Sequence, residues 1–206
     1  MAGRAMNELR RALLPAFLLA VAACSPQPDA ANTAQADPPL AGAAIGGPFT
    51  LTGEDGTPVS DRDFAGQYRI VYFGYTFCPD VCPVDMQNLG AAMRLLDQKD
   101  PALSARIQPI FVTVDPARDT PAVLREFTDA FYPRLLGLTG DPATIAKVAK
   151  EYAVYYKAQP SGPGGGYLVD HTRMAYLMSP EGKPLALLPV EGPPQPIVDE
   201  IERWAK

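Results

Sequence analysis

The sequence is short of positive charge and has no internal repeat. Its 206 residues include 18 Lys and Arg against 23 Asp and Glu, which gives a formal net charge of −5. Proteins that bind nucleic acids need clustered Lys and Arg to neutralise phosphates, so we expect no nucleic-acid partner. The hydrophobic share of 47% and the charged share of 20% are ordinary for one globular domain, which argues against a disordered chain.

A hydrophobic run long enough to cross a bilayer comfortably is also missing. The apolar stretch at residues 12–23 is too short for this, follows three arginines and ends in small residues, as a secretory signal does. It closes with Val-Ala-Ala-Cys, which resembles the lipobox of bacterial lipoproteins. We therefore predict a lipoprotein signal peptide at residues 1–23 and a lipid anchor on Cys24. A chance cysteine at an ordinary cleavage site and a short membrane-embedded anchor are the alternatives.

Bulky apolar residues are almost absent from residues 24–47, which are rich in Pro, Ala, Gly, Asp and Gln. Such a segment cannot bury enough surface to fold, so we predict a flexible tether there and a folded domain at residues 48–206. Loss of the signal removes three arginines and one glutamate, so the net charge falls from −5 to −7. The predicted location is the bacterial cell envelope, with the domain facing the periplasm and lipid-anchored to a membrane.

Apolar runs alternate with helix-like spacings along the predicted domain. Within residues 68–77, the run from Ile70 to Phe73 is unbroken, as in a strand covered on both faces of a sheet. Strands that alternate with helices predict a layered α/β fold with a mostly parallel sheet. The predicted elements are a hairpin at 49–64, strands at 68–77, 106–115 and 135–140, helices at 80–96, 119–131, 141–156 and 196–206, and a hairpin at 173–190.

Cysteine and histidine are scarce, with three and one in the chain. If Cys24 is the anchor, the domain keeps Cys78 and Cys82, four residues apart and each followed by a proline, at the entrance of a helix. The free N–H groups there favour thiolates, and the spacing puts both sulfurs on one side of the turn. A disulfide across so short a loop would stabilise little, which leaves a redox pair or a metal site.

His171 is the candidate that could complete a metal site. A lone histidine is more often a packed or solvated side chain, but this one lies between a glycine-rich surface loop at 161–166 and an apolar strand. Two thiolates and one imidazole are too soft a set for magnesium or calcium. With a fourth position unfilled, they suit copper, as Cu(I) or Cu(II), better than a closed structural zinc site.

Three nearby residues have both a structural and a functional interpretation. Met86 is one turn beyond Cys82, where it is either a core residue, which we favour, or a weak extra ligand. Asp80 is a helix cap and Asp170 a turn residue unless they orient His171 or tune the charge of the thiolates.

Four motifs together resemble the Sco/SenC family of thioredoxin-like copper proteins, which help to assemble cytochrome c oxidase. They are FGYTFCPDVCP, VTVDPARDTPAVLREF, RLLGLTGD and YLVDHTRMAYLMSPEGKPLALL, and the likeness spans residues 49–204. By this resemblance, Cys78, Cys82 and His171 are copper ligands. The fold would be a thioredoxin-like three-layer α/β fold, with a central mostly parallel sheet flanked by helices and an added N-terminal β-hairpin.

The resemblance also implies a function and its partners. The protein would deliver copper to the binuclear copper site of cytochrome c oxidase subunit II, or reduce the cysteines of that site, with another periplasmic copper chaperone as a further possible partner. A thiol-disulfide oxidoreductase, with Cys78 and Cys82 as the catalytic redox pair, is therefore the second hypothesis. Arg173 stands about where disulfide-exchanging thioredoxin relatives carry a cis-proline, which favours metal handling. A peroxiredoxin-like peroxidase and an inert structural bridge are the weaker alternatives.

Overall fold

The computed structural model describes residues 36–160 and 166–206 of the chain. Its strands are β1 (Thr50–Gly53), β2 (Pro58–Ser60), β3 (Tyr68–Gly74), β4 (Ile107–Thr113), β5 (Leu136–Thr139), β6 (Tyr156–Ala158), β7 (Val169–His171), β8 (Ala175–Met178) and β9 (Pro184–Leu188). Its α-helices are α1 (Val81–Lys99), α2 (Pro101–Ala105), α3 (Pro121–Phe131), α4 (Pro142–Glu151) and α5 (Pro194–Trp204), and a short 3-10 helix covers Asp61–Phe64.

Seven strands form the main sheet in the order β2-β1-β5-β4-β3-β8-β9, while β6 and β7 pair separately. β3 is buried at every position, which confirms the prediction of a central strand covered on both faces. Only β3, β4 and β5 run parallel; the other pairs are antiparallel, so the sheet is mixed rather than mostly parallel. Short connections explain the two hairpin pairs, β1–β2 and β8–β9, because they can join only antiparallel strands.

Helices cover the sheet and enclose the core. α1 packs against α5, and α3 packs against β5. Met86 is fully buried in the hydrophobic core, the position that its helical spacing favoured. α3 begins as predicted, because the Thr120 hydroxyl accepts a hydrogen bond from the Val123 N–H at 3.4 Å and Pro121 occupies the first turn. The fold is thioredoxin-like, with the predicted N-terminal hairpin joined to the edge of β5.

The folded unit starts earlier than the sequence predicted. It begins at Asp37 rather than at residue 48. The Leu40 N–H donates to the Leu185 carbonyl at 3.0 Å, and the Gly46 N–H donates to the Glu151 carbonyl at 2.8 Å. Leu40 and Ile45 also pack against the hydrophobic core, so residues 37–47 belong to the folded unit and are held by both backbone hydrogen bonds and apolar contacts.

Several predictions fall on residues outside the described part of the chain. These are the signal peptide at 1–23, the anchor at Cys24, most of the remaining tether and nearly all of the glycine-rich loop. Within the described part, no helix has both the length and the apolar character that a membrane span requires.

Gly90 lets α1 approach the end of α3 closely. A Cβ at this position would lie 2.5 Å from the carbonyl oxygen of Phe131, which is backbone and cannot move aside easily. Alanine favours helix over glycine by about 1 kcal/mol, whereas overpacking costs about 1–3 kcal/mol. We therefore expect Gly90→Ala to lower the free energy of unfolding by about 1–2 kcal/mol in urea denaturation, and Ala91→Gly, the matched control, to lower it by propensity alone. A more stable Gly90→Ala variant would contradict this packing.

Candidate metal centre

A loop at the carboxyl end of β3 carries the first cysteine, and the first turn of α1 carries the second. The Cys78 N–H donates to the Tyr75 carbonyl at 3.3 Å, which closes a turn and points the loop toward the helix. A Cβ on Gly74, the last residue of β3, would lie 2.9 Å from Cys82 Sγ. The strand must therefore end in glycine for the helix to bring its sulfur this close.

Asp119, which lies between β4 and α3, holds the cysteine loop in place. Its carboxylate accepts hydrogen bonds from the Thr76 N–H at 3.0 Å and the Thr76 hydroxyl at 2.7 Å. The Thr113 hydroxyl donates to it at 2.6 Å. Burial is the largest influence on its pKa and raises it, while these three donors act in the opposite direction. The sequence motif contains Asp119, but its spacing gave no sign of this role.

His171 reaches the cysteines from the last position of β7. Its Nδ1 lies 3.1 Å from the Thr172 carbonyl oxygen, and its Nε2 lies 3.3 Å from Cys82 Sγ. Because a carbonyl oxygen can only accept, Nδ1–H donates to it, and Nε2 is the ring nitrogen that faces the sulfur. The Tyr75 and Tyr72 rings stand edge-on to the imidazole, at centroid distances of 5.9 and 6.3 Å.

The structure thus brings together the three residues that the sequence singled out. One side-chain atom each of Cys78, Cys82 and His171 lies within 4.8 Å of the other two. Sulfur–metal bonds of about 2.3 Å at trigonal or tetrahedral angles place two donors about 4 Å apart, so the spacing fits a metal held by all three. Both cysteines are free thiols, and Cys82 is fully buried.

The two sulfurs hold their protons with very different strength. The pKa of Cys78 is lowered to about 4, chiefly by a hydrogen bond from Cys82 and also by backbone N–H groups of Asp80, Val81 and Cys82. The pKa of Cys82 is raised, chiefly because its thiol donates to Cys78 and also because it is buried. In the metal-free, reduced state the pair therefore carries one negative charge at neutral pH, on Cys78.

A buried carboxylate that the sequence did not single out lies one helical turn beyond Cys82. Asp85 is fully buried and accepts a hydrogen bond from the Tyr72 hydroxyl at 2.8 Å. Arg173 donates to it through both Nε, at 2.7 Å, and Nη2. The pKa of Arg173 is raised by this carboxylate, and that of Tyr72 is raised chiefly by burial. The sequence offered one sign of this role, because Asp85 is an acidic residue at a core-facing position of the predicted helix.

The two aspartates suggested as orienting groups have other surroundings in the structure. Asp80 occupies the N-cap position of α1 but makes no side-chain capping hydrogen bond. Asp170 is exposed and accepts a hydrogen bond from the Gln159 amide. Within the part of the chain that the structure describes, no hydrogen bond joins either carboxylate to His171.

Comparison with known proteins gives consistent matches to one family. The SCO1/SenC family model matches residues 37–206. Protein SenC of Rhodobacter capsulatus is 43% identical over 161 residues, which cover 78% of this chain and 71% of SenC. The chain also matches the yeast mitochondrial proteins SCO1 and SCO2, of which it spans about half the length.

Solved structures agree with these matches. ScoI of Bradyrhizobium japonicum, solved with copper bound, has 38% identity and a TM-score of 0.70 over 78% of this chain and 99% of its own. BsSco, described as having a disulfide switch and as a member of the Sco family of cytochrome c oxidase assembly proteins, has 28% identity and a TM-score of 0.58, covering 76% of this chain and 90% of its own.

The depressed pKa of Cys78 predicts how its alkylation depends on pH. An ordinary thiol loses thiolate roughly 1000-fold between about pH 8 and about pH 5, whereas Cys78 stays a thiolate over this range. We expect iodoacetamide to label Cys78 in the reduced, metal-free protein at a nearly constant rate down to about pH 5, and buried Cys82 to react far more slowly. Peptide-resolved mass spectrometry measures both rates.

Cys82→Ala is the matched control for this measurement. It removes the thiol that donates to Cys78, so the pKa of Cys78 should rise and its labelling should fall off at a higher pH than in the wild type. If Cys78 of the wild type were labelled with the pH profile of a free cysteine, the hydrogen bond from the Cys82 thiol to Cys78 would be contradicted.

Proposed function

The chain belongs to the SCO1/SenC family, and from that premise we propose that it is a membrane-tethered copper chaperone that binds copper through Cys78, Cys82 and His171. The observation that carries this proposal is the convergence of two free thiols and one imidazole nitrogen within 4.8 Å. Copper is the cargo, and the three side chains provide two soft sulfur donors and one nitrogen donor of intermediate softness. This donor set accommodates either Cu(I) or Cu(II) and leaves room for a further ligand.

The three ligands differ in how deeply they are buried. Cys82 is fully buried and Cys78 keeps 9% of its surface exposed, whereas His171 is only partly buried, so an acceptor can approach the metal from the side of His171. The charge on Cys78 means that only one further proton leaves the sulfurs when both bind as thiolates. When copper is released, one proton returns to Cys82, and Cys78 remains a thiolate.

The acceptor that we propose is the binuclear copper site of cytochrome c oxidase subunit II. Support comes from the family of oxidase assembly proteins to which the solved relative BsSco belongs. A second periplasmic copper chaperone is a possible donor of the metal. The N-terminal pattern supports a bacterial envelope location, with a lipid on Cys24 holding the domain near the membrane that contains the oxidase.

Reduction of the same oxidase cysteines is the second candidate function. The observation that favours it is the pair itself, because a thiolate on Cys78 with a neighbouring thiol on Cys82 is the arrangement that attacks disulfides. His171 then serves only as a neighbour of the resolving thiol. Copper binding distinguishes the two functions, because a reductase does not need the imidazole as a ligand.

Anaerobic Cu(I) titration of the reduced protein tests the chaperone proposal. We expect one copper per chain in the wild type, loss of stable binding in Cys78→Ala and Cys82→Ala, and an affinity about tenfold or more lower in His171→Ala because one ligand is lost. The oxidised protein should bind no copper, since a disulfide offers no thiolate. Leu168→Ala, an exposed apolar residue of the same segment, is the control and should bind as the wild type does. Equal Cu(I) affinity in the wild type and His171→Ala would favour the reductase.

Palmitate labelling in a bacterial host tests the lipid anchor. The chain has three cysteines, so a Cys78→Ser/Cys82→Ser variant leaves Cys24 as the single possible acceptor of the label. We expect this variant to be labelled and to sediment with membranes, and Cys24→Ser to lose both properties because it lacks the acylated sulfur. Membrane retention of an unlabelled Cys24→Ser chain would support an embedded peptide anchor instead.

A further inference from the structure

The strand that carries His171 is not hydrogen-bonded to any described strand of the main sheet. β7 pairs only with β6, over three residues, in a separate two-stranded sheet within the described part of the chain. Residues 172–174 are irregular and connect it to β8. A ligand held on so short a strand needs another attachment if its distance to Cys82 is to be fixed.

Arg173 provides such an attachment. It follows His171 by two residues, and its guanidinium binds Asp85 through Nε and Nη2, which is a bidentate pair. Asp85 in turn follows Cys82 by three residues on α1, so the two ends of the pair lie next to two members of the candidate metal centre. Two parallel N–H···O contacts fix orientation as well as distance, which one contact does not.

Burial of Asp85 makes the loss of its partner costly. Asp85 is fully buried, while the Arg173 side chain is 36% exposed, so the segment must stay close to α1 to keep the carboxylate paired. The remaining hydrogen bond to Asp85 comes from the Tyr72 hydroxyl, which also lies 4.0 Å from Cys82 Sγ. If the arginine moved away, a buried charge would lose its counter-charge, which is strongly unfavourable.

We propose that Arg173 is a positioning residue for copper: by pairing with Asp85 it holds His171 at bonding distance from the metal that the cysteines bind. The inference rests on the proposed function and assigns a role in it to a residue that touches no metal. Arg173 acts through His171, so its contribution to copper affinity should disappear when the imidazole is absent.

A cycle of single and double substitutions tests this on the purified, reduced full chain. Cu(I) affinity is measured by competition with a chromophoric chelator for the wild type, Arg173→Gln, His171→Ala and the double variant. We expect Arg173→Gln to weaken binding about tenfold in the wild-type background and less than about twofold in the His171→Ala background. Arg173→Lys, which keeps the charge but not the fork, should give an intermediate loss in the wild-type background, and it replaces Arg173→Gln throughout the cycle if that variant does not fold.

Arg203→Gln is the matched control, because Arg203 also pairs with a carboxylate but lies on the exposed face of α5. It should change copper affinity in neither background. Equal losses from Arg173→Gln with and without His171, or no loss at all, would overturn the positioning role. A wild-type chain that binds no copper, or an unaffected His171→Ala variant, would instead overturn the proposed function and the inference with it.

Discussion

The candidate metal centre depends on one contact between side chains that are 89 residues apart, Cys82 Sγ and His171 Nε2 at 3.3 Å. Neither residue lies at a sheet position whose register fixes this distance. Cys82 is in the first turn of α1, and His171 ends a strand outside the main sheet. The parallel strands β3, β4 and β5 therefore do not by themselves fix the distance between Cys82 and His171. The polar groups around these two residues set it.

The distribution of charge between the two sulfurs explains how they can lie this close together in the metal-free protein. Amide groups at the start of α1 and the thiol of Cys82 stabilise a thiolate on Cys78, while burial keeps the proton on Cys82. One thiolate and one thiol repel each other less than two thiolates would, so the metal-free protein tolerates the pair. A cation that binds both sulfurs removes this restriction, since its own positive charge compensates for the second thiolate.

The sequence predicted elements wherever a single local feature determined them. An unbroken apolar run identified β3, and a Thr-Pro pair identified the start of α3. It did not predict α2, which at five residues is too short for a helical period, or the antiparallel pairing of the two predicted hairpins with β5 and β3, which depends on long-range packing. It also placed the start of the domain too late, because residues 37–47 contain few apolar side chains and are held by backbone hydrogen bonds together with the core contacts of Leu40 and Ile45.

The difference between local and long-range features also explains which residues of the site could not be predicted from the sequence. Cys78, Cys82 and His171 are rare residue types and could be singled out by chemistry alone, whereas aspartates are common and Asp85 and Asp119 are distinguished only by burial. Yet these two carboxylates occupy equivalent roles on either side of the cysteine turn. Asp119 binds the loop before Cys78, and Asp85 joins the helix after Cys82 to the segment that carries the imidazole. Because buried carboxylates are costly unless every partner is in place, they make the ligand geometry a property of the whole fold rather than of the three ligands.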